Sequence, residues 1–262
     1  MAGFTATSAF ASSQSVLAAQ EQKAEAVLFD AFPIFDPSPV FTLAEELFPG
    51  KGAELSDLWR NRQFEYTWLR ALSRHYENFW QVTEESLVFA AGTLKLDLTA
   101  ERRDRLMNAY LALKPWPDVP AALKSLTGAG LRLGLLSNLT ADMLDACIKS
   151  SGLEGQFQHV LSTDSVKTYK PDARAYRIGV DALHLKREEI VFVAFAGWDA
   201  AGAKWFGYPT FWANRRHQLA VETGRARAHR SDPRLYLLGR RSAIGTTMDA
   251  LPFGTITRAL RS

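Results

Sequence analysis

The chain has 262 residues, 47% of them hydrophobic, and a formal net charge of +3. That length allows one large domain or one domain carrying an insertion, and the apolar fraction excludes a disordered chain. No apolar stretch approaches a membrane span, and a single cysteine, Cys147, excludes an internal disulfide framework.

Met1 to Glu25 is rich in Ala, Ser and Gln and has no Lys or Arg before residue 23. It reads as a leader or a degraded export signal. Without a working signal the expected location is the cytoplasm, and with one it is outside it. The run Ala26-Val27-Leu28-Phe29 then stops at Asp30. An apolar segment ending at a carboxylate reads as a buried strand that delivers an acid to a sheet edge.

Residues 40–113 contain no clear strand. Leu58, Phe64, Trp68 and Leu72 give helical spacing across Leu55–Tyr76. Thr99 with Glu101 marks a helix start, with the helix running to Leu113. A helical block placed right after the first strand would lie over Asp30 as a lid.

Strands are expected next at Leu131–Leu136, Val160–Ser162, Ile190–Ala196 and Thr210–Ala213. They alternate with helices over Pro117–Thr127, Ala141–Ser151, Ala173–Leu183 and Ala200–Phe206, with Thr140 capping the second. Continuous apolar strands mean burial on both faces, as in a parallel sheet. The alternation implies an α/β doubly wound sheet. The expected organisation is a core of residues 26–39 and 114–214, a helical cap of 40–113, and a divergent basic segment of 215–262. Residues 215–241 hold eight Arg against two acids, while residues 1–214 carry a net −4. The basic stretch matches no known nucleic-acid-binding module and reads as solvated surface, so no nucleic-acid partner is expected.

Four polar elements fall at strand ends: Asp30, Ser137-Asn138, Lys170-Pro171-Asp172 and Asp199. Together they offer a nucleophile, a polar clamp, a cation and a second carboxylate. An aspartate nucleophile must stay ionised, and a nearby lysine does that. Asp199 also fits a helix N-cap before Ala200. Cys147 fits a small buried hydrophobe on a helix. The five histidines show no metal-ligand spacing.

On these residues the chain resembles the L-2-haloacid dehalogenases of the haloacid dehalogenase superfamily, over about residues 25–214. The matching stretches are Phe29-Asp30-Ala31-Phe32, Leu58-Trp59-Arg60 through Gln63-Phe64-Glu65-Tyr66-Thr67-Trp68, Leu136-Ser137-Asn138, Tyr169-Lys170-Pro171-Asp172 and Gly197-Trp198-Asp199. The resemblance implies a Rossmann-like core with a helical cap, a small haloacid as substrate, and neither cofactor nor metal. It allows a homodimer. It implies that Asp30 displaces halide to form an ester, that Lys170 steadies Asp30, and that Asp199 activates the hydrolytic water. By the same resemblance Ser137 contacts the substrate carboxylate, and Arg60 and Asn138 receive the halide. Tyr176, Phe32, Phe79 and Trp198 form the pocket wall.

Phe32 also separates the chain from the superfamily's phosphatases, which carry a second Asp at that position. Three departures from the dehalogenase pattern stand out. Pro33-Ile34 replaces a usual Gly-Thr, and Ala194-Phe195-Ala196 replaces Ser-Ser-Asn. Hydroxyl and amide groups are thereby lost beside the nucleophile. Removing one such donor lowers rates by about 10²–10³ in comparable sites. The alternatives are another aspartate-nucleophile hydrolase of this fold, or a weakly active or inactive binding homologue.

Overall fold

A computed structural model describes residues 24–216 and residue 218. The leader, and all of the basic segment beyond those residues, lie outside the described residues.

The centre is a five-stranded, wholly parallel sheet of β1 (Ala26–Phe29), β4 (Arg132–Ser137), β5 (His159–Ser162), β6 (Ile190–Ala194) and β7 (Thr210–Trp212), in the order β5-β4-β1-β6-β7. Strand order reverses between β1 and β6, so the crevice where ligands collect in such sheets opens beside the end of β1. Leu28 pairs with Gly134 on one side and Phe192 on the other.

Ala26, Val27, Leu28 and Phe29 are all fully buried. Val27 and Phe29 face one side of the sheet and Leu28 the other, which is why the strand is a continuous apolar run rather than an alternating one. On one face lie α6 (Val119–Gly128) and α7 (Ala141–Ser151); on the other lie α8 (Ala173–Leu183) and α9 (Gly197–Phe206). Thr140 caps α7 by accepting from the Met143 N–H at 3.2 Å. Two glycines let the second layer come close. A Cβ at Gly179 would meet Leu28 Cδ1 at 2.3 Å, and one at Gly202 would meet both Pro171 Cβ and Tyr176 Oη at 2.6 Å.

The cap consists of α2 (Ser38–Leu47), α3 (Gly52–Ser73), α4 (Phe79–Thr93) and α5 (Ala100–Ala109). It is inserted between β1 and β4, and its first helix, α2, starts at Ser38. Trp59 is buried between its helices and donates Nε1–H to Thr83 O at 2.7 Å. After Asp30 the chain makes one helical turn, α1 (Ala31–Ile34), before leaving for the cap. The exit and return strands, β2 (Phe35–Asp36) and β3 (Lys114–Pro115), pair as a two-residue antiparallel ribbon. Trp116 fastens the return by donating its backbone N–H to Ile34 O and its indole N–H to Phe32 O. A second cap–core tie lies at the far side, where Tyr76 donates to Asp164 Oδ1 at 2.7 Å and Tyr169 donates to Glu77 O.

Candidate active site

Asp30 follows β1 directly and is the N-cap of α1, with 8% of its surface exposed. Its backbone N–H continues the sheet ladder to Val193 O. Its two oxygens have different company. Oδ1 accepts from Ser137 Oγ at 3.1 Å and from Lys170 Nζ at 2.9 Å. Oδ2 has only a long 3.4 Å contact from the Phe32 N–H.

Lys170 is fully buried and bridges the two acids. Its Nζ donates to Asp30 Oδ1, to Asp199 Oδ2 at 2.7 Å and to Leu136 O at 3.3 Å. Burial alone would favour the neutral amine, but Asp199 and then Asp30 outweigh it and hold the pKa above the ordinary lysine value.

Asp199 is 2% exposed. Its Oδ1 accepts from Tyr176 Oη at 2.7 Å. Burial, helped by the charge of Asp30 and opposed by Lys170 and Tyr176, pushes its pKa up to about 6. It is therefore mostly ionised at neutral pH and has the basicity to take a proton from water. Helix α9 starts earlier than expected, at Gly197 with Ala196 as N-cap. Asp199 consequently sits in its first turn, and its side chain serves Lys170 and Tyr176 rather than capping the helix.

Asp30, Phe32, Phe64, Phe79, Ser137, Asn138, Lys170, Phe195, Ala196, Trp198 and Asp199 line a small cavity together with Leu139. The space for centres of water-sized molecules inside it is about 30 Å³, roughly what two or three waters need. Its walls are aromatic. Trp198 meets Phe64 edge-on at 5.4 Å and Trp68 at 5.6 Å, and Phe32 meets Phe195 at 5.8 Å. Asn138 Oδ1 accepts from Thr163 Oγ1 and from the Lys170 N–H, so its Nδ2 is the atom it can offer to the cavity.

Two expected wall or contact residues stand elsewhere. Tyr176 is fully buried behind Asp199 and does not line the cavity; its hydroxyl holds the acid instead. Arg60 does not line it either. Its guanidinium pairs with Asp57 at 2.9 Å and lies over the Phe41 ring at 5.9 Å. Four wall residues were not expected: Phe64, Leu139, Phe195 and Ala196. Phe64 carried the helical spacing and was read as packing, and Phe195 was seen only as a departure from a polar pattern. Leu139 carried no signal. Ile34 and Ala194 are fully buried, so the polar groups missing there are replaced by packed apolar surface. Cys147 is buried, donates Sγ–H to Tyr110 O, and has its pKa pushed up to about 11 by burial.

No group of three or more His, Cys, Asp or Glu side chains that could hold a metal occurs among the described residues. The donors beside Asp30 are a hydroxyl, an ammonium and a backbone amide, which suit an anion-stabilising pocket.

A parallel sheet with a capped, lysine-paired aspartate at the end of its central strand is an arrangement that suits a hydrolase using a carboxylate as nucleophile. The sequence model of haloacid dehalogenase-like hydrolases matches residues 13–207, and the chain belongs to that family. It is 45% identical over 199 residues to the (S)-2-haloacid dehalogenase of Pseudomonas sp. (strain YL), covering 76% of this chain and 86% of the relative. The solved L-2-haloacid dehalogenase RSc1362 superposes with a TM-score of 0.76 at 42% identity, over 77% of this chain and 91% of that one. The L-2-haloacid dehalogenase from Xanthobacter autotrophicus, solved with chloropropionic acid covalently bound, gives a TM-score of 0.65 at 37% identity, over 71% of this chain and 76% of that one.

Proposed function

We propose that the protein hydrolyses the carbon–halogen bond of short (S)-2-haloacids, giving (R)-2-hydroxyacids and halide. The carrying observation is the contrast between the two oxygens of Asp30, a residue that lines the cavity: Oδ1 is held by Ser137 and Lys170, and Oδ2 is left with one long contact from the Phe32 N–H. Oδ2 attacks the halogen-bearing carbon from the side opposite the halogen. The carbon–halogen bond breaks with inversion, halide leaves with the electron pair, and an aspartyl ester forms.

Water then attacks the Asp30 carbonyl carbon, with Asp199 taking its proton. The ester bond breaks, the leaving alkoxide takes the proton back from Asp199 and departs as the hydroxyacid, and the water oxygen stays in the Asp30 carboxyl, which loses its remaining proton to solvent. Lys170 pairs with both carboxylates between steps. Asn138 Nδ2 and Arg60 receive the halide. Arg60 reaches it by giving up Asp57, an exposed pair of the kind worth at most about 1 kcal/mol. Ser137, besides holding Asp30, meets the substrate carboxylate. Phe32 offers no acid for a phosphate leaving group, and the aromatic walls suit an apolar carbon–halogen bond. The relatives named as (S)-2-haloacid dehalogenases support the substrate class, and the covalent chloropropionic acid complex of one of them supports the ester.

The test is incubation with L-2-chloropropionate in H₂¹⁸O, followed by mass spectrometry. We expect label in the peptide carrying Asp30, and an Asp30→Asn variant with halide release reduced at least 10³-fold or so. Label found only in the product, or an active Asp30→Asn variant, would overturn the ester route.

A second reading, a binding homologue with low turnover, is favoured by the apolar Ile34, Ala194 and Ala196. Single-turnover ester formation without steady-state halide release would select it. For assembly, we propose that two copies meet through the exposed cap side chains Leu69, Leu72, Val88 and Phe89; a light-scattering mass near 29.2 kDa would refute a dimer. We also propose a cytoplasmic location, since a lone buried thiol fits a reducing compartment. No described helix is long and apolar enough to cross a membrane. Cell fractionation checks the location.

A further inference from the structure

The buried trio of Asp30, Asp199 and Lys170 carries one net negative charge, and the proposed substrate is itself an anion. An anion approaching that charge in a low-dielectric pocket is repelled unless a cation lies near its path. Arg60, paired with Asp57, is assigned to the leaving halide rather than to the carboxylate. Arg216, which follows the last sheet strand, is differently placed. Its guanidinium lies over the ring of Phe195, a wall of the cavity, at 5.6 Å, and over the ring of Phe41 on cap helix α2 at 5.1 Å. Both distances fall within cation–π range, which fixes the charge without neutralising it. Among the described residues no carboxylate pairs with Arg216. Its neighbour Arg215 is committed elsewhere, to Asp118, Pro33 O and the face of Trp116.

We infer that Arg216, held between the wall residue Phe195 and cap residue Phe41, is an anion-recognition residue that draws the carboxylate of a short acid towards the cavity between cap and core. This rests on the haloacid reading for the identity of the acid, though the charge argument holds for any small carboxylate. The aromatic pair holds the guanidinium at the junction of the two parts of the molecule. Substrate carboxylate then supplies a counter-charge that the described residues do not. Arg216 touches no reacting atom, so its loss weakens binding and leaves the chemical step alone.

The experiment compares wild type, Arg216→Gln and Arg216→Lys. Halide release from L-2-chloropropionate gives KM and kcat, and quenching of tryptophan fluorescence gives Kd for the same acid and for the neutral 2-chloropropionamide. For Arg216→Gln we expect KM and Kd of the acid to rise about tenfold, kcat to stay within about twofold, and Kd of the amide to be unchanged. Arg216→Lys should recover most of the loss. An acid Kd unchanged in Arg216→Gln, or an equal loss for the amide, overturns the inference. If wild type binds the acid through Arg216 yet releases no halide, the proposed reaction falls and the recognition role stands.

Discussion

The core and the cap divide the work of the site unequally. The core supplies every charged or hydrogen-bonding group that touches Asp30: Ser137 at the end of β4, Lys170 beyond β5, and the Phe32 N–H on the turn after β1. The cap supplies apolar wall, Phe64 and Phe79. The charges are held on the sheet side of the boundary, and no bond of the trio crosses it. The comparison teaches that chemistry and access are governed by separate parts, so they can be damaged separately.

Lys170→Met should be the harshest break of the core. It leaves two buried carboxylates without their shared cation, which we expect to destabilise the fold by about 3–5 kcal/mol and to abolish halide release, measured by urea unfolding and chloride assay.

A milder probe of the core is pH. With the Asp199 pKa at about 6, kcat should fall about tenfold per unit below pH 6 as the base becomes protonated. For stability the sign runs the other way. Asp199 in the folded state keeps its proton above the ordinary 3.8. Its contribution to folding is therefore full below that value and is lost as pH rises through about 6. A kcat flat from pH 5 to 7 would remove Asp199 as the base.

The comparison is sharpened by the triple change Ile34→Thr, Ala194→Ser and Ala196→Asn, which returns polar groups to the core half of the site. Turnover should rise by about tenfold or more, given what one such donor contributes elsewhere; an unchanged kcat would show that these positions do not limit the reaction. Phe79→Ala breaks only the cap wall. Deleting this buried ring should cost about 3 kcal/mol of stability and raise KM more than it lowers kcat. Smallest of all, Asp57→Ala should shift stability by no more than about 0.5 kcal/mol while freeing Arg60, with halide release retained.

The same division explains what could be read from sequence. The strands were legible because burial on both faces leaves continuous apolar runs, and the catalytic polar residues stand where those runs stop. Boundaries slipped where polar and apolar signals compete. β4 extends one residue to include Ser137, and β6 ends at Ala194 because Phe195 and Ala196 form the turn into α9. Asp199 looked like a cap because acids often are, whereas its partners Lys170 and Tyr176 are 29 and 23 residues away. In the cap the reading gave helices, and roles only where the resemblance supplied them, at Arg60 and Phe79. Nothing in Phe64 distinguishes a cavity wall from ordinary packing, and the two-residue strands of the ribbon are too short to carry a period. Tyr176 was expected at the wall because the sequence does not say which side of Asp199 the helix α8 passes.

The ribbon formed by Asp36 and Lys114 has a consequence for how such molecules diversify. Because the chain leaves and re-enters the sheet side by side, the intervening helices form a cassette. A longer, shorter or unrelated cassette spliced at these two residues would leave every strand register in place, and the entropy of closing the excursion grows only with the logarithm of its length. One catalytic platform can thus be refitted with new entrances without being rebuilt.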